Sequence, residues 1–291
     1  MQSLPFLVSL GVAAAVVPAA VRGLRSQGFV RANYRGAPVA FPAGAGIAAT
    51  VLVALVPLAL VDELTSATVF RADVGPALLY VLGVALLGLL DDLVGSGALG
   101  SPQPPAPDAP PPPRGWRGHA RATLSGGFST GTLKAAGSLG LALFVLRGRG
   151  LDSGEYLLAA ALLVLVTNLF NLLDLRPGRS AKALILLGAG ITIGTRDVHP
   201  LWTLGLFIGP VLILLPFDLR ERAMLGDTGS NVLGAVAGLW LVLALSTLGQ
   251  AIALGVVAVM TVYGEFRSLS DLIERTPLLR QLDSLGRPTH A

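Results

Sequence analysis

The sequence predicts an all-α fold: a polytopic integral membrane bundle of about nine transmembrane helices, N-terminus outside and C-terminus cytosolic. Three observations predict it. Hydrophobic residues make up 53% of the 291 positions and charged residues only 13%, with a mean hydropathy of +0.72, whereas a soluble domain is about a quarter charged. Apolar runs long enough to cross about 30 Å of hydrocarbon recur along the chain. The basic residues are distributed unevenly between alternate loops, as expected where they mark the inner side.

The runs fall at about 4–22, 44–62, 74–91, 132–146, 155–173, 181–196, 200–216, 229–247 and 249–264. The first has no basic residue before it and a basic loop after it, which reads as a retained anchor and not a cleaved signal peptide. Pro57 and Pro210 lie inside apolar runs, where neighbouring helices can satisfy the freed carbonyls. The runs at 132–146 and 249–264 are short. With the N-terminus outside, all 21 basic residues except Arg71, Arg147, Arg149 and Arg196 fall on the inner side.

The net charge of +4 follows from that topology, since basic residues gather beside acidic headgroups, and no nucleic-acid partner is needed to account for it. The absence of cysteine excludes disulfides and thiolate metal sites. Residues 1–264 form the membrane domain. Ser101–Pro113, with eight prolines in thirteen residues, reads as an extended spacer in the second cytosolic loop. In the tail, 265–291, Leu269, Leu272, Ile273, Leu278, Leu279, Leu282 and Leu285 recur at near-helical spacing broken by Pro277, predicting two short amphipathic helices on the inner face.

Four polar clusters sit where these helices meet the inner surface, and ionisable groups there are costly unless they pair, bind metal or meet water. Asp91 and Asp92 close the third helix, behind a Gly88 that leaves room for a neighbour; they are either a polar stop or hard oxygen ligands of the kind Mg2+ takes. Lys134 either snorkels to the interface or neutralises that pair or a phosphate. Asn168, Asn171 and Asp174, three apart, share one broad helix face. They are interhelical glue or substrate contacts. Arg176 and Arg179 are topology markers or diphosphate clamps. Gly226-Asp227-Thr228-Gly229-Ser230 opens the eighth helix, where free amides and the helix dipole favour phosphate; Asp227 either caps the helix or holds a metal.

In this order and spacing, Asp-Asp-x-x-Gly, a Lys at a helix start, Asn-x-x-Asn-x-x-Asp and Gly-Asp-x-Gly-Ser resemble the motifs of the polyprenyl-phosphate N-acetylhexosamine-1-phosphate transferases. That superfamily includes the phospho-N-acetylmuramoyl-pentapeptide transferase of peptidoglycan synthesis and the GlcNAc-1-phosphate transferases of other envelope polymers. The resemblance runs to about Gly264 from Asn33-Tyr34-Arg35-Gly36-x-Pro38, which is similar to the family's substrate-side loop. It implies a bacterial inner-membrane enzyme whose cytosolic site moves a hexosamine 1-phosphate from a UDP-sugar to undecaprenyl phosphate, releasing UMP. It further implies Asp227 as the Mg2+ ligand, Asp91 and Asp92 as a catalytic pair with Lys134 beside it, and Asn171 and Asp174 lining the nucleotide-sugar cleft. Asn33, Arg35, Asn168, Gly229 and Ser230 join them as expected substrate contacts. The expected partners are undecaprenyl phosphate, a UDP-N-acetylhexosamine and membrane lipid, and a homodimer is compatible with the reading.

The chain departs from the family pattern in three places. Pro177 stands where a second carboxylate is usual, a His-rich loop before a tenth helix is missing, and the first loop lacks its His. Arg176, Arg179 or His119 are the candidates to replace the lost contacts. These departures favour GlcNAc or another hexosamine over the peptidoglycan donor. They also leave a rival reading, a weakened paralogue that binds polyprenyl phosphate or envelope proteins as a scaffold. A transporter fits less well, because the charges gather at one membrane edge and no internal repeat is present.

Overall fold

The computed structural model describes residues 2–95 and 130–288, and the Pro-rich segment 101–113 and His119 lie outside them. Its long helices are α1 (Leu4–Ser26), α2 (Ala45–Leu64), α3 (Val74–Leu90), α4 (Thr130–Leu146), α5 (Ser153–Leu173) and α6 (Arg179–Thr195), then, after a five-residue α7 (His199–Thr203), α8 (Gly205–Leu219), α9 (Gly226–Ala244) and α10 (Thr247–Phe266). Two short helices close the described chain, α11 (Leu269–Arg275) and α12 (Pro277–Ser284). They match the two amphipathic tail helices expected from sequence, with Pro277 at the first position of the second. The expected run at 200–216 is broken at Leu204 into α7 and α8.

Six helices, α1, α2, α3 with its C-terminal extension, α5, α9 and α10, are long and apolar enough to cross a membrane. The described parts of α4, α6 and α8 hold 17, 17 and 15 residues, about 25 Å or less at 1.5 Å per residue. Large apolar side chains face outward around the bundle, among them Leu52, Val56, Leu60, Leu86, Phe144, Ile193, Val256 and Val259. A surface of that kind needs lipid, since a water-soluble protein seldom exposes so much contiguous apolar area.

Helix starts follow local rules where they can. Asp152 and Glu155 form a reciprocal capping box on α5 (2.8 and 3.4 Å), and Ser246 and Ser268 cap α10 and α11. The central helix is α9, which packs on α5, α3, α6 and α7 and has 78% of its most apolar stretch buried, against 6% for α10. A two-stranded antiparallel hairpin, β1 (Val30–Ala32) and β2 (Pro38–Ala40), adds a small non-helical element. Backbone hydrogen bonds from Ala40, Ala43, Gly44 and Met224 stitch it and the start of α2 to the segment leading into α9. One end of the bundle thereby gathers the hairpin, the ends of α3, α5 and α8, and the starts of α4, α6 and α9.

Candidate functional site

Asp91 and Asp92 sit where α3 passes into one π-helical turn, Asp91–Gly95. Adjacent side chains on a helix point about 100° apart, and the two carboxylates serve different partners. Asp92 turns inward and is 3% exposed. Its Oδ1 accepts from the Asp227 amide at 2.8 Å, and its Oδ2 accepts from the Thr228 amide at 2.8 Å and from Thr228 Oγ1 at 2.6 Å. The residue before α9, Leu225, offers no capping side chain. A carboxylate from another helix therefore satisfies the orphan amides and meets the positive end of the helix dipole. The fit needs glycine: a Cβ on Gly88 would lie 2.5 Å from the Asp227 carbonyl oxygen, and one on Gly44 would lie 2.1 Å from Gly229 N.

Asp91 points the other way, toward α4. Lys134 Nζ lies 3.2 Å from Asp91 Oδ2 and 2.5 Å from Asp227 Oδ2, and the two carboxyl groups are themselves within hydrogen-bonding reach. The Asn171 amide, with its oxygen turned to Lys134 Nζ at 2.9 Å, donates to Asp227 Oδ1 at 3.0 Å and to Ser230 Oγ at 3.1 Å. Side-chain exposures of 16 to 29% for Lys134, Asp91 and Asp227 open this cluster to solvent. Among the described groups, two carboxylates, Asp91 and Asp227, share one ammonium, so these groups carry an excess of negative charge.

Mg2+ suits this donor set. The carboxylates of Asp91 and Asp227 and the amide oxygen of Asn171 are hard ligands, and the Lys134 ammonium already marks a point where positive charge is held. Mg2+ commonly takes one or two carboxylates and completes its shell with phosphate oxygens and water. Among the described residues no group of three or more His, Cys, Asp or Glu side chains forms a complete cage, so the remaining positions would fall to substrate and water.

A second group of expected residues lines a narrow crevice beside the hairpin. Asn33 Oδ1 accepts from the amides of Arg35 and Ala37 to shape the hairpin turn, while its Nδ2 donates to Glu221 Oε2 at 2.7 Å. Tyr34 and Arg35 also meet Glu221, and the Arg176 guanidinium lies 4.4 Å over the Tyr34 ring. Asp174 and Asp218 complete the wall. Burial first, then the carboxylates of Asp218 and Asp227, raise Asp174 well above the usual carboxylate range, which favours its neutral form.

The remaining expected residues lie apart. Gly229 is buried against Gly44, and Ser230 is buried behind Asn171. Asn168 is exposed and has no hydrogen bond with the described residues. Arg179 is 5% exposed and is taken up by Asp283 of the tail.

Three residues of this end were not singled out from sequence. Asp218 accepts from Gly178 N at 2.7 Å, and its place at the end of an apolar run is the same signal that marked Asp91. Glu221 holds a left-handed φ of 55°, sparsely populated for a non-glycine residue and often a sign of function; nothing local predicts it. Asp283 is separated from Arg179 by 104 residues, beyond any spacing rule. The sequence matches no protein-family model and no curated protein.

Proposed function

We propose that the protein is a membrane phosphoglycosyl transferase that moves an N-acetylhexosamine 1-phosphate from a UDP-sugar to undecaprenyl phosphate, releasing UMP, in bacterial envelope synthesis. The observation that supports this most directly is the cluster of Asp91, Lys134, Asn171 and Asp227: hard oxygen donors and one ammonium, open to solvent, at the end of a membrane bundle. In this reading nine crossings of the inner membrane, with the N-terminus outside, bring the cluster and the basic loops to the cytosolic face.

An acceptor phosphate oxygen forms the new bond to the donor's β-phosphorus as the bond to the bridging oxygen breaks and UMP leaves. Asp227 would hold Mg2+, which when bound would neutralise the diphosphate and the charge developing on it. Lys134 aligns Asp91 and Asp227 and offsets phosphate charge from the opposite side. Asp227 and Asp91 face the reacting groups. Asp92 does not, since its oxygens hold the start of α9; its part is to aim Asp227. Asn33, Arg35, Asp174 and Arg176 receive the nucleotide-sugar end.

The test is UMP release by the purified protein in detergent with undecaprenyl phosphate, Mg2+ and a panel of UDP-GlcNAc, UDP-GalNAc and UDP-MurNAc-pentapeptide. Lipid-dependent UMP from one donor is expected, and Asp227→Asn should lower the rate by about 10²-fold or more with the melting temperature unchanged. Silence across the panel, with polyprenyl phosphate still bound, would favour the scaffold reading. One observation already leans that way: Arg179, a candidate phosphate clamp, is occupied by Asp283.

A further inference from the structure

The five residues between α5 and α6, Asp174–Gly178, have little structure of their own yet carry two of the groups assigned to the donor. Gly178 turns with a φ of 72°, and Asp218 holds its amide. Among the described residues, the other polar grips on this stretch, beyond backbone bonds to the flanking helices and the Asp174–Ser180 bond, come from the hairpin or the tail. The Arg176 guanidinium lies over Tyr34 and pairs with Glu274 at 3.2 Å. The carbonyl of Pro177, the residue that departs from the family pattern, accepts from Arg287 Nε at 2.8 Å.

One side chain of the tail, Asp283, takes four hydrogen bonds. Asp283 Oδ1 accepts from Arg179 Nε at 2.8 Å and from an Arg287 Nη at 2.8 Å, while Oδ2 accepts from Arg179 and Arg287 at 3.0 and 3.1 Å. A single carboxylate is thus held between two guanidinium forks, the geometry in which such pairs are strongest and most directional. Arg179 donates further to Ser270 Oγ at 2.9 Å, and Lys182 donates to the carbonyls of Asp283 and Leu285. Arg179 and Asp283 are only 5% and 9% exposed, so neither finds water as a substitute partner if the other is removed.

We infer, resting on the transferase reading above, that Asp283 is a positioning residue for the donor: by gripping Arg179 and Arg287 it fixes the Asp174–Gly178 loop so that Asp174 and Arg176 face the crevice. Asp283 touches no substrate. Its removal therefore acts on donor binding and leaves the reacting cluster at Asp91, Lys134 and Asp227 intact.

The full chain in detergent would be compared with Asp283→Asn and with Arg287→Lys, which keeps the charge beside Asp283 but loses the fork that reaches Pro177. Amide hydrogen exchange of residues 174–182 should quicken by about tenfold in Asp283→Asn, and by less in Arg287→Lys, while residues 226–232 are unchanged. In the UMP assay the KM for the UDP-sugar should rise about tenfold with kcat held within about twofold. Unaltered exchange in the loop of both variants would overturn the inference, as would a fall in kcat at constant KM. If Asp283→Asn fails to fold, Arg287→Lys carries both measurements. Should the wild-type protein release no UMP from any donor, the transferase reading fails, and the exchange data alone decide whether the tail holds the loop.

Discussion

At the Lys134 cluster two carboxylates, Asp91 and Asp227, share one ammonium among the described residues, whereas at the tail clamp a single carboxylate, Asp283, meets two guanidiniums. Both groups lie at the same end of the bundle. The first is short of positive charge and open; the second has it in excess and is closed. Buried ion pairs with all hydrogen bonds made are a structural arrangement, while unbalanced charge in reach of solvent leaves work for a ligand. The balance of charge, more than the number of charges, separates the candidate site from the scaffold around it.

The largest test of that contrast removes Lys134, the cation that the described residues bring to the open cluster. Lys134→Met leaves Asp91 and Asp227 facing each other without the ammonium that pairs with both. Thermal unfolding in detergent should show a marked drop in Tm without divalent ions. Added Mg2+ should restore more of the loss in Lys134→Met than it adds to the wild type, because the cation then occupies the place of the ammonium. A Tm that ignores Mg2+ in both proteins would remove the cluster's claim to a metal.

The closed cluster gives the next effect, and acid reveals it. Burial works to raise the Asp283 carboxyl, but the Arg179 and Arg287 guanidiniums outweigh it and bring it down to about 2. That lies below the value of about 3.9 for an unfolded Asp. The clamp's stabilisation is therefore complete above about pH 4 and is lost as the pH falls toward 2. Hydrogen-exchange protection over residues 269–285, taken relative to the intrinsic rate at each pH, should fall across that window in the wild type. In Asp283→Asn protection should already be low at pH 5 and change little on acidification; an equal acid response in both proteins would show that other carboxylates release the tail.

Much of this was legible in the sequence because carbon and charge are easy to tell apart in a chain this apolar. All nine predicted runs contain a helix, and Asp91, Lys134, Asn171 and Asp227, chosen because polar groups at membrane ends are costly, lie together. Direction was not legible. Nothing in Asp91-Asp92 says that one side chain opens to solvent while its neighbour caps a helix 135 residues away. The hairpin escaped because strands of three residues leave no alternating pattern, and because its order comes from hydrogen bonds to residues 222–225. The break at Leu204 escaped because the run around it is continuously apolar, and Asp283 because only folding sets it against Arg179.

The smallest expected effect asks whether the cap between Asp92 and α9 differs from an ordinary buried hydroxyl bond. Thr228→Val keeps the shape and both amide bonds to Asp92 but deletes the 2.6 Å hydroxyl bond to its carboxylate. Thr50→Val provides the reference, since Thr50 is equally buried and its hydroxyl donates to a carbonyl of its own helix, Gly46, at 2.8 Å. Hydrogen bonds to charged groups contribute about 1.5–3 kcal/mol, against about 1 for neutral ones. Thr228→Val should therefore lower the Tm by more than Thr50→Val, and it alone should slow UMP release, since Asp227 is aimed by the same cap. Equal losses of stability with activity intact would mean that the two backbone amides hold the start of α9 by themselves, and that Asp92 positions Asp227 without help from the Thr228 hydroxyl.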